Sequence, residues 1–174
     1  MLYAILIWLL PVVILLHELE EWNILHWIQR NFVNLPRKTH VSIRTFLVFF
    51  SLLSFVWTFL ATRLASAPAT AILVGLLGLA TLLNAFQHIY YQFHFREYAP
   101  GVITSLALTI PLVLALFYQV VALGILPWWA VAGVSLPVLV FGMIETVRAG
   151  NRLPVGLRAT SRVGAWLASA LRLE

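Results

Sequence analysis

Long apolar runs alternate with short polar punctuation along this chain. Five runs stand out by their near absence of charge: residues 2–28, 41–61, 69–93, 101–126 and 128–147. At 1.5 Å rise per residue each is long enough, as a helix, to cross about 30 Å of hydrocarbon. Short connections predict antiparallel packing of successive spans. The first run is interrupted by the hexapeptide HELEEW, residues 17–22. Pro111 and Pro137 fall inside the fourth and fifth runs, where each removes a backbone donor and should kink its helix, opening space nearby. The pattern predicts an all-α membrane protein with five transmembrane helices in one domain, residues 1–148. A different periodicity follows. Val163, Trp166, Leu167, Ala170 and Leu171 recur at helical spacing, opposite Arg158, Ser161, Arg162, Ser169 and Arg172. Residues 153–174 therefore predict a basic amphipathic helix lying on the inner leaflet as an anchor.

Composition agrees with this pattern. The 174 residues are 62% hydrophobic and only 10% charged, more apolar surface than a soluble domain of this length can hide. The absence of cysteine excludes disulfides, thiolate zinc sites and c-type haem attachment. A net charge of +5 could signal nucleic-acid binding, but its distribution argues against that partner, because the basic residues flank the apolar runs. Arg30, Arg37, Lys38, Arg44, Arg96, Arg148, Arg152, Arg158, Arg162 and Arg172 fall on one side of the spans, and only Arg63 on the other. The basic side should be cytoplasmic, with the N-terminus outside and the C-terminus inside. Residues 1–16 lack a basic n-region and a small-residue cleavage site, and so read as a span rather than a signal peptide.

HELEEW concentrates three of the six acids beside a histidine. His17, Glu20 and Glu21 fall within an arc of about 100° on a helix, and Glu18 lies at its edge. His17 lies about 24 Å along the first span, and Asn84 about 24 Å along the third. Asn84 belongs to a polar stripe with Thr81, Gln87, His88 and Tyr91. Thr104 enters the same layer from the fourth span, and Glu145, about 27 Å along, from the fifth. An unpaired carboxylate at membrane depth costs about 2.5–3.5 kcal/mol at the bilayer centre, so the cluster calls for a cation, a shared proton or histidinium partners.

The leading expectation is one divalent transition metal ion, zinc or iron, held by His17, Glu20, Glu21 and His88. Glu20 and Glu21 would be the catalytic groups, with Asn84, Tyr91, Thr104 and Glu145 beside the ligands or against substrate. The protein would then be a metal-dependent enzyme acting on a lipid-soluble or amphipathic molecule near the cytoplasmic leaflet, with hydrolase, oxidase and isomerase chemistry all open. Membrane lipids are its expected partners, and its oligomeric state is open. Three other readings use the same residues: a metal-free acid–base cyclase or isomerase of an isoprenoid-like substrate, a proton- or cation-coupled transporter, and a hydrogen-bonded network that only fixes packing.

HELEE at 17–21 fits His-x-x-Glu-Glu. With Trp22, NAFQH at 84–88 and YAPG at 98–101, the chain resembles the HXXEE family of small polytopic bacterial membrane proteins. The resemblance runs from residue 1 to about 148. It implies a multi-pass protein of the bacterial inner membrane and supports His17, Glu20 and Glu21 as functional residues. It supplies no reaction.

Overall fold

The computed structural model describes residues 1–33, 39–63 and 66–173. Arg37, Lys38 and Glu174 lie outside the described residues. The chain forms α1 (Leu2–Glu20), α2 (Ile24–Asn31), α3 (His40–Thr62), α4 (Ala67–His94), α5 (Val102–Ala122), α6 (Trp128–Ala149) and α7 (Val155–Ala170). Five of them, α1, α3, α4, α5 and α6, are long and apolar enough to cross a membrane. Among the described residues there is no strand, only an isolated bridge between Val33 and Arg152. Helices suit this composition because they satisfy their own backbone donors and acceptors where no water can.

Four spans form a ring. α1 packs against α3 and α5, and α4 packs against the same two, which leaves α1 and α4 facing each other across the middle. Leu10, Val74, Val113 and Leu116 fill the centre. α6 stands outside the ring against α4. A β-carbon on its Gly142 would lie 2.6 Å from Leu83, and Gln87 donates a hydrogen bond to Thr146 at 2.8 Å. Most of the rest of α6 is exposed.

Three local departures from the simple pattern position the site. The first apolar run breaks at residues 21–23, so α2 is a separate short helix. Arg44 clamps the break: its guanidinium donates to Asn23 at 2.8 Å and to the Trp22 carbonyl at 3.3 Å. In α5, residues Ser105–Thr109 form a π-helical turn just before Pro111. Proline cannot donate to the carbonyl four residues back and its ring crowds that carbonyl, so the chain widens there. Pro137 lies within α6, which continues through it.

The third departure concerns the tail. α7 turns a stripe of small residues toward α3, with Gly164 and Ala168 buried and Ser161 and Ala165 half-buried. A β-carbon on Gly164 would lie only 2.6 Å from the Ser42 carbonyl oxygen, so the helices meet backbone to backbone. Val163, Trp166 and Leu171 remain exposed. The tail thus has a docking face beside the apolar face that its periodicity predicts.

Candidate functional site

The broken end of α1 places its polar residues on two sides. His17 sits at the middle of the arc, with Glu21 to one side and Glu20 to the other. Its Nε2 lies 3.4 Å from Glu21 Oε1, and that same oxygen lies 2.6 Å from His88 Nε2 of α4. His17 and His88 are buried and Glu21 nearly so. The two imidazoles meet edge to face, with ring centroids 4.9 Å apart. Ligand-type atoms of His17, Glu21 and His88 all lie within 4.8 Å of one another. Burial alone would raise the Glu21 carboxyl, but the charge of His88 and its hydrogen bond, with a smaller influence of His17, outweigh it and hold the group below the ordinary carboxylate range.

Glu20 does something else. The backbone N–H groups of Ile103 and Thr104 donate to it at 3.1 and 2.8 Å, and the Thr104 hydroxyl at 2.6 Å. The Tyr98 hydroxyl donates to Oε1, the oxygen that also accepts from Ile103, while both Thr104 donors use Oε2. A carboxylate at the first turn of α5 meets free backbone donors and the positive end of the helix dipole. Burial and then this bond push the Tyr98 phenol up to about 12. Glu20, expected among the ligands, is therefore engaged on the α5 side of His17, apart from the cluster.

The connection between the two sides determines a tautomer. The single hydroxyl hydrogen of Thr104 is directed to Glu20 or, at 3.2 Å, to the Gly101 carbonyl. Thr104 Oγ1 can then only accept from His17 Nδ1, 2.8 Å away. A neutral His17 thus carries its hydrogen on Nδ1 and a lone pair on Nε2, aimed toward Glu21 and His88. Asn84 Nδ2 lies 2.9 Å from that nitrogen and donates to it.

Gly101 closes the site from above. Its φ is +97°, a conformation that favours glycine. A β-carbon there would lie 2.8 Å from the Cε1 atoms of both His17 and His88. On the far side lies a cavity of about 400 Å3, walled by α1, α2, α3, α4 and the tail. Its polar lining includes Glu18, Glu21, His17, His88, Asn84 and Gln87, and Ile14, Leu47, Phe50 and Leu83 belong to its apolar wall. Glu18, read from the sequence only as the edge of the arc, is buried on this wall and has no hydrogen-bond partner among the described residues. Thr160 and Ser161 of α7 reach the same cavity, which makes the tail part of the wall. Tyr91 lines it too, with its hydroxyl buried and unpartnered. Glu145 does not line this cavity; it lies in a second groove near the end of α6.

The residues fit an ion in part without change. In a tetrahedral site with bonds of about 2.0–2.1 Å, neighbouring ligand atoms are roughly 3.3–3.4 Å apart, the spacing of His17 Nε2 and Glu21 Oε1. The 2.6 Å contact of His88 with Glu21 is instead a hydrogen bond, so an ion would displace a proton there and part the two groups by under about 1 Å. The chain Glu20–Thr104–His17 resembles the hydrogen-bonded support that orients ligating histidines in metal sites.

Fold and site together define a class: a polytopic helical membrane protein with a His/Glu cluster buried at one end of its bundle. The family model described as "Protein of unknown function with HXXEE motif" matches residues 8–116, and the chain belongs to that family. The match holds most of α1, all of α2 to α4 and most of α5; α6 and α7 lie beyond it, although the resemblance read from the motifs ran from residue 1 to about 148. No curated protein and no solved structure matches the chain.

Proposed function

We propose that the protein is a membrane-embedded, metal-dependent enzyme of the bacterial inner membrane, acting on a lipid-soluble or amphipathic molecule. The observation that carries this reading is the position of His17, Glu21 and His88: they form part of the wall of a cavity that is otherwise largely apolar. The basic end of the bundle faces the cytoplasm, so the cavity belongs to the inner leaflet. Two imidazoles and a carboxylate are a donor set for zinc or iron that leaves a coordination position open. A bound ion would supply Lewis-acid polarisation or an activated water. His17 is oriented by Thr104 and Glu20, His88 by its packing under Gly101. Glu18, unpaired on the same wall, is placed to give or take a proton at a substrate in the cavity. Apolar side chains at the deep end would receive the substrate's hydrocarbon and keep water from the reacting atoms.

A metal-free acid–base reading is favoured by one observation, the 2.6 Å hydrogen bond between His88 and Glu21, which gives the carboxylate and His88 Nε2 a partner without an ion. Elemental analysis of the purified protein separates the two. The metal reading expects about one zinc or iron per chain, absent from folded His17→Ala and His88→Ala variants. Metal-free wild-type protein, or stoichiometric metal retained in both variants, would sink it. Lipid extracts of wild type and Glu18→Gln, compared by mass spectrometry, then test for a substrate-like amphiphile.

A further inference from the structure

A second groove, about 390 Å3, lies at the same end of the bundle, and Arg148, Arg152 and Arg158 line it with Glu145, Phe141 and Ile144. We propose that this groove binds the phosphate of an anionic membrane lipid, with the arginines on the phosphate and an acyl chain along Phe141 and Ile144. The site is separate from the His17 cluster and does not rest on the reading given for it.

The three arginines come from three pieces of chain. Arg148 closes the last turn of α6, Arg152 lies in the connecting turn, and Arg158 is in the first turn of α7. No single helical stripe produces such a cluster; the turn brings it together, and the turn is held from several sides. Gly150, at φ +55°, ends α6. The Val33 N–H donates to the Asn151 carbonyl at 2.9 Å, and His94 Nε2 lies 3.0 Å from Asn151 Oδ1. Leu153 is buried beneath. Arginine's planar fork of donors suits phosphate oxygens, and three arginines against one glutamate leave the groove with excess positive charge.

The rest of the groove identifies the source of the phosphate. Phe141, Ile144 and Arg148 stand at i, i+3 and i+7 on α6, so they share one face. Phe141 is 71% exposed, on a helix long and apolar enough to cross the membrane. Read along that face toward the basic end, apolar surface gives way to cation, the same order as acyl chain and phosphate in a lipid. A free phosphate ion would use the arginines and leave Phe141 idle.

The test uses the purified full chain in detergent, with retained lipid counted by native mass spectrometry. Probes are phosphatidylglycerol, phosphatidylcholine and inorganic phosphate. Phosphatidylglycerol should be retained in preference to phosphatidylcholine, and each of Arg148→Gln, Arg152→Gln and Arg158→Gln should weaken retention roughly fivefold. Phe141→Ser should weaken it as well. An Arg162→Gln control, removing equal charge outside the groove, should leave retention unchanged. Equal retention by the groove variants, or equal loss in the control, would overturn the proposal. Displacement of the lipid by low-millimolar phosphate, with no effect of Phe141→Ser, would overturn the lipid source and leave a free-phosphate site. Single variants are preferred because they are the less prone to misfold, and unchanged helicity qualifies each one.

Discussion

The His17 cavity and the arginine groove lie at the same end of the molecule, and Leu153 lines both. They treat charge in opposite ways. In the cavity the charged groups are buried or nearly so: His17 and His88 share Glu21 as a partner, and Glu18 faces the same void with no hydrogen-bond partner among the described residues. In the groove the arginines are exposed at the surface of the bundle. The difference teaches where precision resides. Buried charge must be matched by geometry, because an uncompensated ion costs several kcal/mol, whereas exposed charge tolerates approximate partners and is screened by salt. On the readings proposed above, the cavity is a place for chemistry and the groove a place for attachment.

Substitutions that separate the two regions test this contrast. The largest effect is expected for His88→Ala and His17→Ala, which should take the protein from one bound metal ion to none detectable by elemental analysis. Arg148→Gln should leave metal content untouched. Loss of metal in the arginine variant would mean that the two regions are one site.

Next is Gly101→Ala. The added methyl must adopt φ +97° and lie 2.8 Å from both imidazoles. A cost of about 1–3 kcal/mol in stability is expected, seen as a lowered Tm, together with weakened metal binding. An unaltered Tm would show that the loop over the histidines yields freely.

Smaller still is the effect of Glu20→Gln and Thr104→Val. Neither removes a ligand of the proposed ion, and both loosen the support of His17. Metal affinity, measured by competition with a chelator, should fall about 10–100-fold while the fold is kept. Complete loss, equal to that of His88→Ala, would return Glu20 to the ligand set.

Asn84→Ala should have the smallest effect. The Asn84 amide holds the His17 Nε2 lone pair that an ion would take. Its removal should leave affinity within about twofold or raise it, since a competing hydrogen bond of roughly 1 kcal/mol is gone. A large fall would make Asn84 a ligand or an essential support, and would weaken the separation between the cluster and its surroundings.

Much of the fold was legible from the apolar runs. Spans of about 20 residues follow from bilayer thickness and helical rise, and the five predicted runs correspond to the five long apolar helices. The site was legible in part for a related reason. On α1, His17 and Glu21 are four residues apart and must share a face, and Asn84 and His88 repeat that spacing on α4. Glu18 was harder to place, because the edge of an arc says nothing about which neighbour fills the space beside it. The small-residue stripe of α7 could have been noticed at positions 161, 164, 165 and 168, but the larger apolar residues beside it dominate the periodicity.

By itself, then, the sequence determined the helical class, the number of spans, and which residues share a face of α1 and of α4. Helical geometry and hydrocarbon solubility are local properties that need no partner. The shared depth of His17 and His88 already called for α1 and α4 to meet; only the tertiary structure decided that Glu20 turns to the first turn of α5 while Glu21 meets His88, and that three arginines from three segments converge. Those outcomes depend on the break at 21–23, the left-handed Gly101 and the turn pinned by Val33, contacts between residues tens to more than a hundred positions apart. Periodicity along one helix carries no information about which face of another helix it meets.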